Sequence, residues 1–275
     1  MPVLKLRNGA SLNYDQAGLG CPLVLVHGSP GEGRAWARVM KHLPPDMRVL
    51  TPDLPGYGAS EPLSSRTVER TEAMASAIGE LIKDGAGPCW LCGHSYGGNV
   101  ALHTALLHRE RVQGLVLIEP VFMRALELAG ERETLAETHA LFTTYLLRLD
   151  SAAPGAIGLM IDFWLGSGAY EKLPPPTREF LDGAAAKNAQ DIRASFAETV
   201  SAAQLASFDR PVVIACGEVS NPVAQTIATS LARLLPQAQV QSIPAATHNM
   251  LDSHPREVAG LINRLCGRQA RMEGP

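Results

Sequence analysis

The segment from Cys89 to Gly98 constrains this chain more than any other. An apolar run, Cys89-Trp90-Leu91-Cys92, leads into Gly93-His94-Ser95-Tyr96-Gly97-Gly98. A helical pattern from Tyr96 to His108 follows at once. A buried strand that turns directly into a helix belongs to a parallel α/β sheet, where helices carry the chain back across the sheet faces. A serine at such a turn is held in a strained backbone conformation with positive φ. Gly93 and Gly97 leave room for neighbouring backbones to approach. The serine hydroxyl is thereby pushed out above the sheet, beside a helix N-terminus whose free N–H groups favour negative charge. This is the G-x-S-x-G nucleophile elbow, and Ser95 is its candidate nucleophile.

The rest of the chain repeats the strand–helix alternation. Val3–Arg7 and Ser11–Gln16 read as short strands joined at Asn8-Gly9, a hairpin turn signal. Continuous apolar runs suit strands buried on both faces at Leu23–Val26, Gly114–Ile118 and Val212–Cys216, and Val49–Thr51 is a short strand ended by Pro52. Val240–Ile243 is the last strand. Helical spacing covers Thr67–Lys83, with Met74, Ile78, Leu81 and Ile82 as its apolar stripe, and Gly85-Ala86-Gly87-Pro88 stops it. Two more helices follow at about Val223–Leu234 and Pro255–Leu265. The expected fold class is α/β, with a mostly parallel eight-stranded sheet flanked by helices. From Phe122 to about Ala206 strand runs cease, and Pro154-Gly155 and Pro174-Pro175-Pro176 punctuate a helical stretch. That is too long for one crossover and reads as a helical insertion above the C-terminal edge of the sheet. The expected division is a core of residues 1–121 and 207–275 and an insertion of residues 122–206.

Composition excludes several classes. With 275 residues, 46% hydrophobic and 19% charged, the chain is long and apolar enough to cover a sheet on both faces. A net charge of -3 argues against a nucleic-acid partner. Arg264–Arg271 reads as a solvated tail. No run approaches the roughly 20 apolar residues of a membrane helix. The N-terminus has no long apolar run, and the five cysteines are odd in number, so we expect a reduced, cytoplasmic protein. Cys89 and Cys92 form a CxxC pair, but residues three apart in a strand face opposite ways, so both read as core residues rather than a redox or metal pair.

Acyl chemistry at Ser95 needs two N–H donors for the oxyanion. One is the N–H of Tyr96, the residue after the nucleophile. The second is expected from the loop His27-Gly28-Ser29-Pro30-Gly31 after the first central strand, as the N–H of Ser29. His27, placed before the glycine, reads as a brace for that loop.

Three stretches together resemble the α/β-hydrolase superfamily over nearly the whole chain. They are His27–Gly31, Asp53-Leu54-Pro55-Gly56-Tyr57-Gly58-Ala59-Ser60 and Gly93–Gly98. The resemblance implies a structural role for Asp53 and makes the helical insertion similar to the family's cap domain. It also implies a catalytic histidine in the loop after the last strand, where Ala245-Ala246-Thr247-His248-Asn249-Met250 supplies His248. His254 is the alternative base, better placed at the start of the final helix. The sequence departs from the family at the acid. Members commonly carry an aspartate shortly after the seventh strand, and here that position holds Ser220. Two carboxylates remain, Glu119 at the end of the sixth strand and Glu218, and Glu119 is preferred. Some members carry their acid after strand six, and a charge between Ile118 and Pro120 needs a partner.

The reading is a serine hydrolase that cleaves small-molecule carboxylic esters through Ser95, His248 and Glu119, with no cofactor and no metal. It acts as a monomer or homodimer. Phe142, Tyr145, Phe163, Trp164 and Tyr170 line an acyl pocket or form the insertion's own core. Alternatives are a lactonase, a carbon–carbon bond hydrolase, a cofactor-free haloperoxidase, or a ligand-binding protein with little turnover. Epoxide hydrolases and haloalkane dehalogenases are disfavoured, because they need a carboxylate nucleophile.

Overall fold

A computed structural model describes residues 2–63 and 70–270. Eight strands form one sheet: β1 (Val3–Lys5), β2 (Ser11–Ala17), β3 (Pro22–Val26), β4 (Arg48–Pro52), β5 (Cys89–His94), β6 (Val112–Ile118), β7 (Val212–Gly217) and β8 (Ala238–Ile243). Their spatial order is β1-β2-β4-β3-β5-β6-β7-β8. β2 runs antiparallel to both its neighbours, and the pairs from β4 to β8 are parallel. The fold is the expected α/β-hydrolase fold, and the strands with continuous apolar runs, β3, β5, β6 and β7, occupy its centre.

The helices are α1 (Ala37–Met40), α2 (Arg70–Leu81), α3 (Tyr96–Leu107), α4 (Met123–Ala129), α5 (Arg132–Asp150), α6 (Gly158–Leu165), α7 (Pro175–Phe196), α8 (Ala202–Ala206), α9 (Pro222–Leu234), α10 (Met250–Ser253) and α11 (Pro255–Ala270). α2 continues into a wide turn, Ile82–Ala86, before Gly87 adopts a positive φ. Thr67–Glu69, expected to begin this helix, lie outside the described residues, as do Arg271 and the side chains from 267 onward in the expected basic tail. Short turns and α1 before β4 escaped the periodicity because they are too brief to show one.

Period-two alternation divides the core. One cluster contains Val24, Val26, Leu91, Leu115 and Leu117 with α2, α3 and α9. The opposite cluster contains Leu23, Leu25, Trp90, Val116 and Ile118 with Trp36 and α11. Cys89 falls in the first and Cys92 in the second, both fully buried, so the two thiols are on opposite faces. Each such aliphatic side chain contributes roughly 1.5–3 kcal/mol on burial. α4–α8 lie between β6 and β7. The three prolines at 174–176 start α7 rather than interrupt it, since proline is tolerated in a first helical turn. Both ends of the insertion are anchored in the main core, through buried Phe122 and Leu126 at one end and Leu205 and Phe208 at the other.

Candidate active site

Ser95 sits between β5 and α3 with φ 55 and ψ -125, a left-handed conformation unusual for a non-glycine residue. Its flanking glycines have no space for a side chain. A Cβ on Gly93 would come within 2.2 Å of the Gly97 carbonyl oxygen, and one on Gly97 within 2.3 Å of the His27 carbonyl oxygen. The Ser95 N–H donates to the Ile118 carbonyl at 2.9 Å, which ties the turn to the end of β6. Tyr96 is the first residue of α3, so its own N–H has no acceptor within the helix.

His248 and Glu119 meet Ser95 from the adjacent loops. His248 Nδ1–H donates to Glu119 Oε2 at 2.7 Å. That leaves Nε2 as an acceptor for the Ser95 hydroxyl, 3.0 Å away. Glu119 directly follows β6 and also has a positive φ, 42°. It is 1% exposed, against 7% for Ser95 and 8% for His248, so its charge must be satisfied internally. Oε1 accepts from the Gly217 N–H at 2.7 Å and from the Ser220 hydroxyl, and the Cys216 thiol lies 3.6 Å away. Burial pushes the Glu119 carboxyl up, but the bonds from His248, Ser220 and Gly217 outweigh it and hold the group below its ordinary value. Glu218 is exposed and accepts from the Ala245 N–H at 3.0 Å, whereas His248 Nδ1 bonds Glu119. His254 binds Ser253 Oγ at 2.8 Å, just before α11.

The loop that carries Ser29 is braced from below. His27 is fully buried. It donates from Nδ1 to the Gly28 carbonyl at 2.7 Å and accepts the Leu54 N–H at Nε2 at 2.8 Å. Burial lowers its pKa to about 4, so it stays neutral. Asp53 accepts the Gly33 and Ala59 N–H groups at 2.8 and 2.9 Å, a structural role. From above, α7 holds the same loop. Asn188 Nδ2 donates to the Ser29 carbonyl at 3.0 Å, and Ser29 Oγ lies 2.9 Å from the Tyr57 hydroxyl. Tyr57 in turn donates to Asp191 at 2.5 Å, and Arg70 pairs with that carboxylate at 2.5 Å.

Ser95 opens on two cavities. The inner one, of about 350 Å³, is bounded by Ser29, Ser95 and Tyr96 and by apolar side chains that include Val121, Phe142 and Ile192. The outer one, of about 780 Å³, is bounded by Gly28, Pro30, His94, Ser95 and His248. Trp164 of α6 borders both and stacks on the His248 ring, with centroids 4.8 Å apart and planes 20° apart. Of the five insertion aromatics expected at an acyl pocket or in the insertion's own core, Phe142 and Trp164 border these cavities, as does Phe196. Tyr145 bonds Asn188, and Tyr170 bonds Asp182. Among the described residues no cluster of three or more His, Cys, Asp or Glu has metal-binding spacing, and no helix is long and apolar enough to cross a membrane.

A sequence model of the alpha/beta hydrolase family matches residues 23–261. The chain belongs to the alpha/beta hydrolase family. It is 31% identical over 258 residues to a pimeloyl-[acyl-carrier protein] methyl ester esterase of Photobacterium profundum, covering 90% of this chain and 95% of that one. It is 30% identical over 205 residues to a 2-hydroxymuconate semialdehyde hydrolase of a Pseudomonas species, covering 70% and 72%. A solved structure of a thermophilic esterase from Thermogutta terrifontis superposes with a TM-score of 0.72 at 24% identity, over 98% of this chain and 99% of that one.

In this alpha/beta hydrolase several residues at the site escape sequence reasoning. Ser220 bonds the carboxylate whose usual position it occupies. His94 donates from Nε2 to the His248 carbonyl at 2.9 Å and stays neutral, because burial lowers its pKa to about 3. Its place inside the elbow motif was the only signal. Asn188 and Asp191 carry no motif, and only the three-dimensional packing of α7 brings them to the Ser29 loop.

Proposed function

We propose that the protein is a serine hydrolase of small-molecule carboxylic esters, with Ser95 as nucleophile, His248 as base and Glu119 as acid. The continuous path of short hydrogen bonds from Glu119 through His248 to Ser95, at 2.7 and 3.0 Å, carries this reading. Ser95 Oγ attacks the ester carbonyl carbon while His248 Nε2 takes its proton. Glu119 keeps Nδ1 protonated and balances the imidazolium. The N–H groups of Tyr96 and Ser29 hold the oxyanion. The tetrahedral centre collapses, the bond to the alcohol oxygen breaks, and His248 returns the proton to that oxygen. Water then repeats the sequence on the acyl-enzyme. The α/β core of residues 1–121 and 207–275 supplies these groups, and the helical cap of residues 122–206 covers the acyl side.

The esterase name of the relative matched over 95% of its length supports an ester substrate. The match to a 2-hydroxymuconate semialdehyde hydrolase favours carbon–carbon bond hydrolysis as the second reading. Hydrolysis of p-nitrophenyl butyrate by the wild-type protein and by Ser95→Ala tests the proposal. Turnover that disappears in Ser95→Ala supports it, and equal turnover by the two proteins rejects it.

A further inference from the structure

We infer that Met123 and Phe196 form the end wall of the acyl site, so that the substrate is an ester with a compact apolar acyl group and a larger alcohol. The inference rests on Ser95 acting as the acyl-accepting nucleophile. It follows from how the cavities share their walls.

The direction of the substrate comes first. His248 must reach the leaving oxygen to return the proton it took from Ser95. His248 borders the outer cavity and is not among the residues bounding the inner one. The alcohol therefore leaves through the outer cavity, and the water that releases the acyl group enters the same way. The acyl group lies in the inner cavity, where Tyr96 and Ser29 are also found. The inner cavity is the smaller, about 350 Å³ against about 780 Å³.

Part of the inner cavity's wall is a partition rather than solid core. Beyond it lies a groove open to solvent, bordered by Arg124, Arg132 and His139 of α4 and α5, with Arg132 and His139 exposed. Met123, Ser195 and Phe196 border both spaces. Ser195 is fixed to its helix by a bond from Oγ to the Asp191 carbonyl at 3.0 Å. Phe196, the last residue of α7, is held by two rings. It meets His139 edge-on with centroids 5.1 Å apart, and Phe142 lies 5.9 Å away. The wall is thus one aromatic ring and one methionine thick. An acyl chain longer than the inner cavity meets it end-on, and shortening either side chain opens the inner cavity into the groove without touching Ser95, His248 or Glu119.

Two isomeric esters, octyl butyrate and butyl octanoate, test this, because they share the same atoms and a similar alkyl leaving group. The wild-type protein is expected to cleave octyl butyrate with the higher kcat/KM, by about tenfold or more, the scale on which an apolar pocket discriminates by chain length. Phe196→Ala and Met123→Ala are expected to shrink that ratio by raising kcat/KM for butyl octanoate. Wild-type preference for butyl octanoate, or equal rates for the two isomers, overturns the assignment of the cavities without needing either variant to fold. Folded variants that keep the wild-type ratio overturn the wall. Reaction of Ser95 with a fluorophosphonate is measured alongside. Labelled Ser95 with the wrong isomer preference sinks this inference alone, whereas unlabelled Ser95 sinks the ester-hydrolase reading on which it rests.

Discussion

The hydroxyl of Ser220 donates to Oε1 of Glu119, joining the loop after β7 to the end of β6. The two strands are neighbours in the sheet, with Ile118 paired to Ala215, so residues 216–220 and Glu119 share one edge. A serine cannot supply the negative charge a protonated histidine needs. It can hold a carboxylate that arrives from the next strand, and the Gly217 N–H assists it.

Ser220→Ala removes one donor from a buried carboxylate and leaves the other three contacts in place. Hydrogen bonds to charged groups are worth about 1.5–3 kcal/mol. We expect kcat to fall roughly tenfold, with KM little changed, because the acid loses its orientation and not its charge. Steady-state kinetics on a short-chain ester checks this. An unchanged kcat would mean that the three remaining contacts, from His248, Gly217 and Cys216, fix Glu119 without Ser220.

Glu119→Gln keeps the shape but removes the charge opposite His248. We expect kcat to drop by about 10⁴, the loss when a triad acid is replaced by its amide. Glu218→Gln, on an exposed side chain bound to the Ala245 N–H, should change stability by no more than about 0.5 kcal/mol and leave kcat near wild type. Measured together, the two variants separate the candidate acids. The reverse pattern would transfer the role to Glu218.

The sheet was legible because β3, β5, β6 and β7 are buried on both faces, which demands unbroken apolar runs. The strand–Ser95–helix turn was legible because its backbone strain requires glycines at fixed offsets, a local demand with a local signature. Glu119 was partly legible, as a charge ending a buried strand must find a partner. Its selection over Glu218 depended on side-chain direction, which spacing alone does not give. Asn188 and Asp191 were not legible. They lie in α7 with polar residues all along its sequence, and only tertiary packing turns these two toward Ser29 and Tyr57.

Acid should destabilise the fold through its buried histidines. Burial lowers the pKa of His27 from 6.5 to about 4 and that of His94 to about 3. The unfolded chain therefore binds protons that the folded one refuses. Their contribution is full above pH 6.5 and is lost as pH falls from there towards 4 and 3, at about 1.4 kcal/mol per pH unit for each histidine. Glu119, whose pKa is lowered, adds a loss of the same sign at lower pH, as it takes up its proton. Thermal unfolding midpoints should drop over this window, and His27→Asn should flatten the upper part of the slope. Midpoints independent of pH between neutrality and 4 would contradict the buried, neutral state of His27.

The most direct measurement is covalent. A fluorophosphonate reacts with a serine only when a neighbouring base takes its proton and N–H donors hold the developing charge. The account predicts one label per chain, located by peptide mass spectrometry on Ser95, with labelling lost in Ser95→Ala and strongly slowed in His248→Ala. No label on Ser95, or labelling at the wild-type rate in His248→Ala, would contradict it.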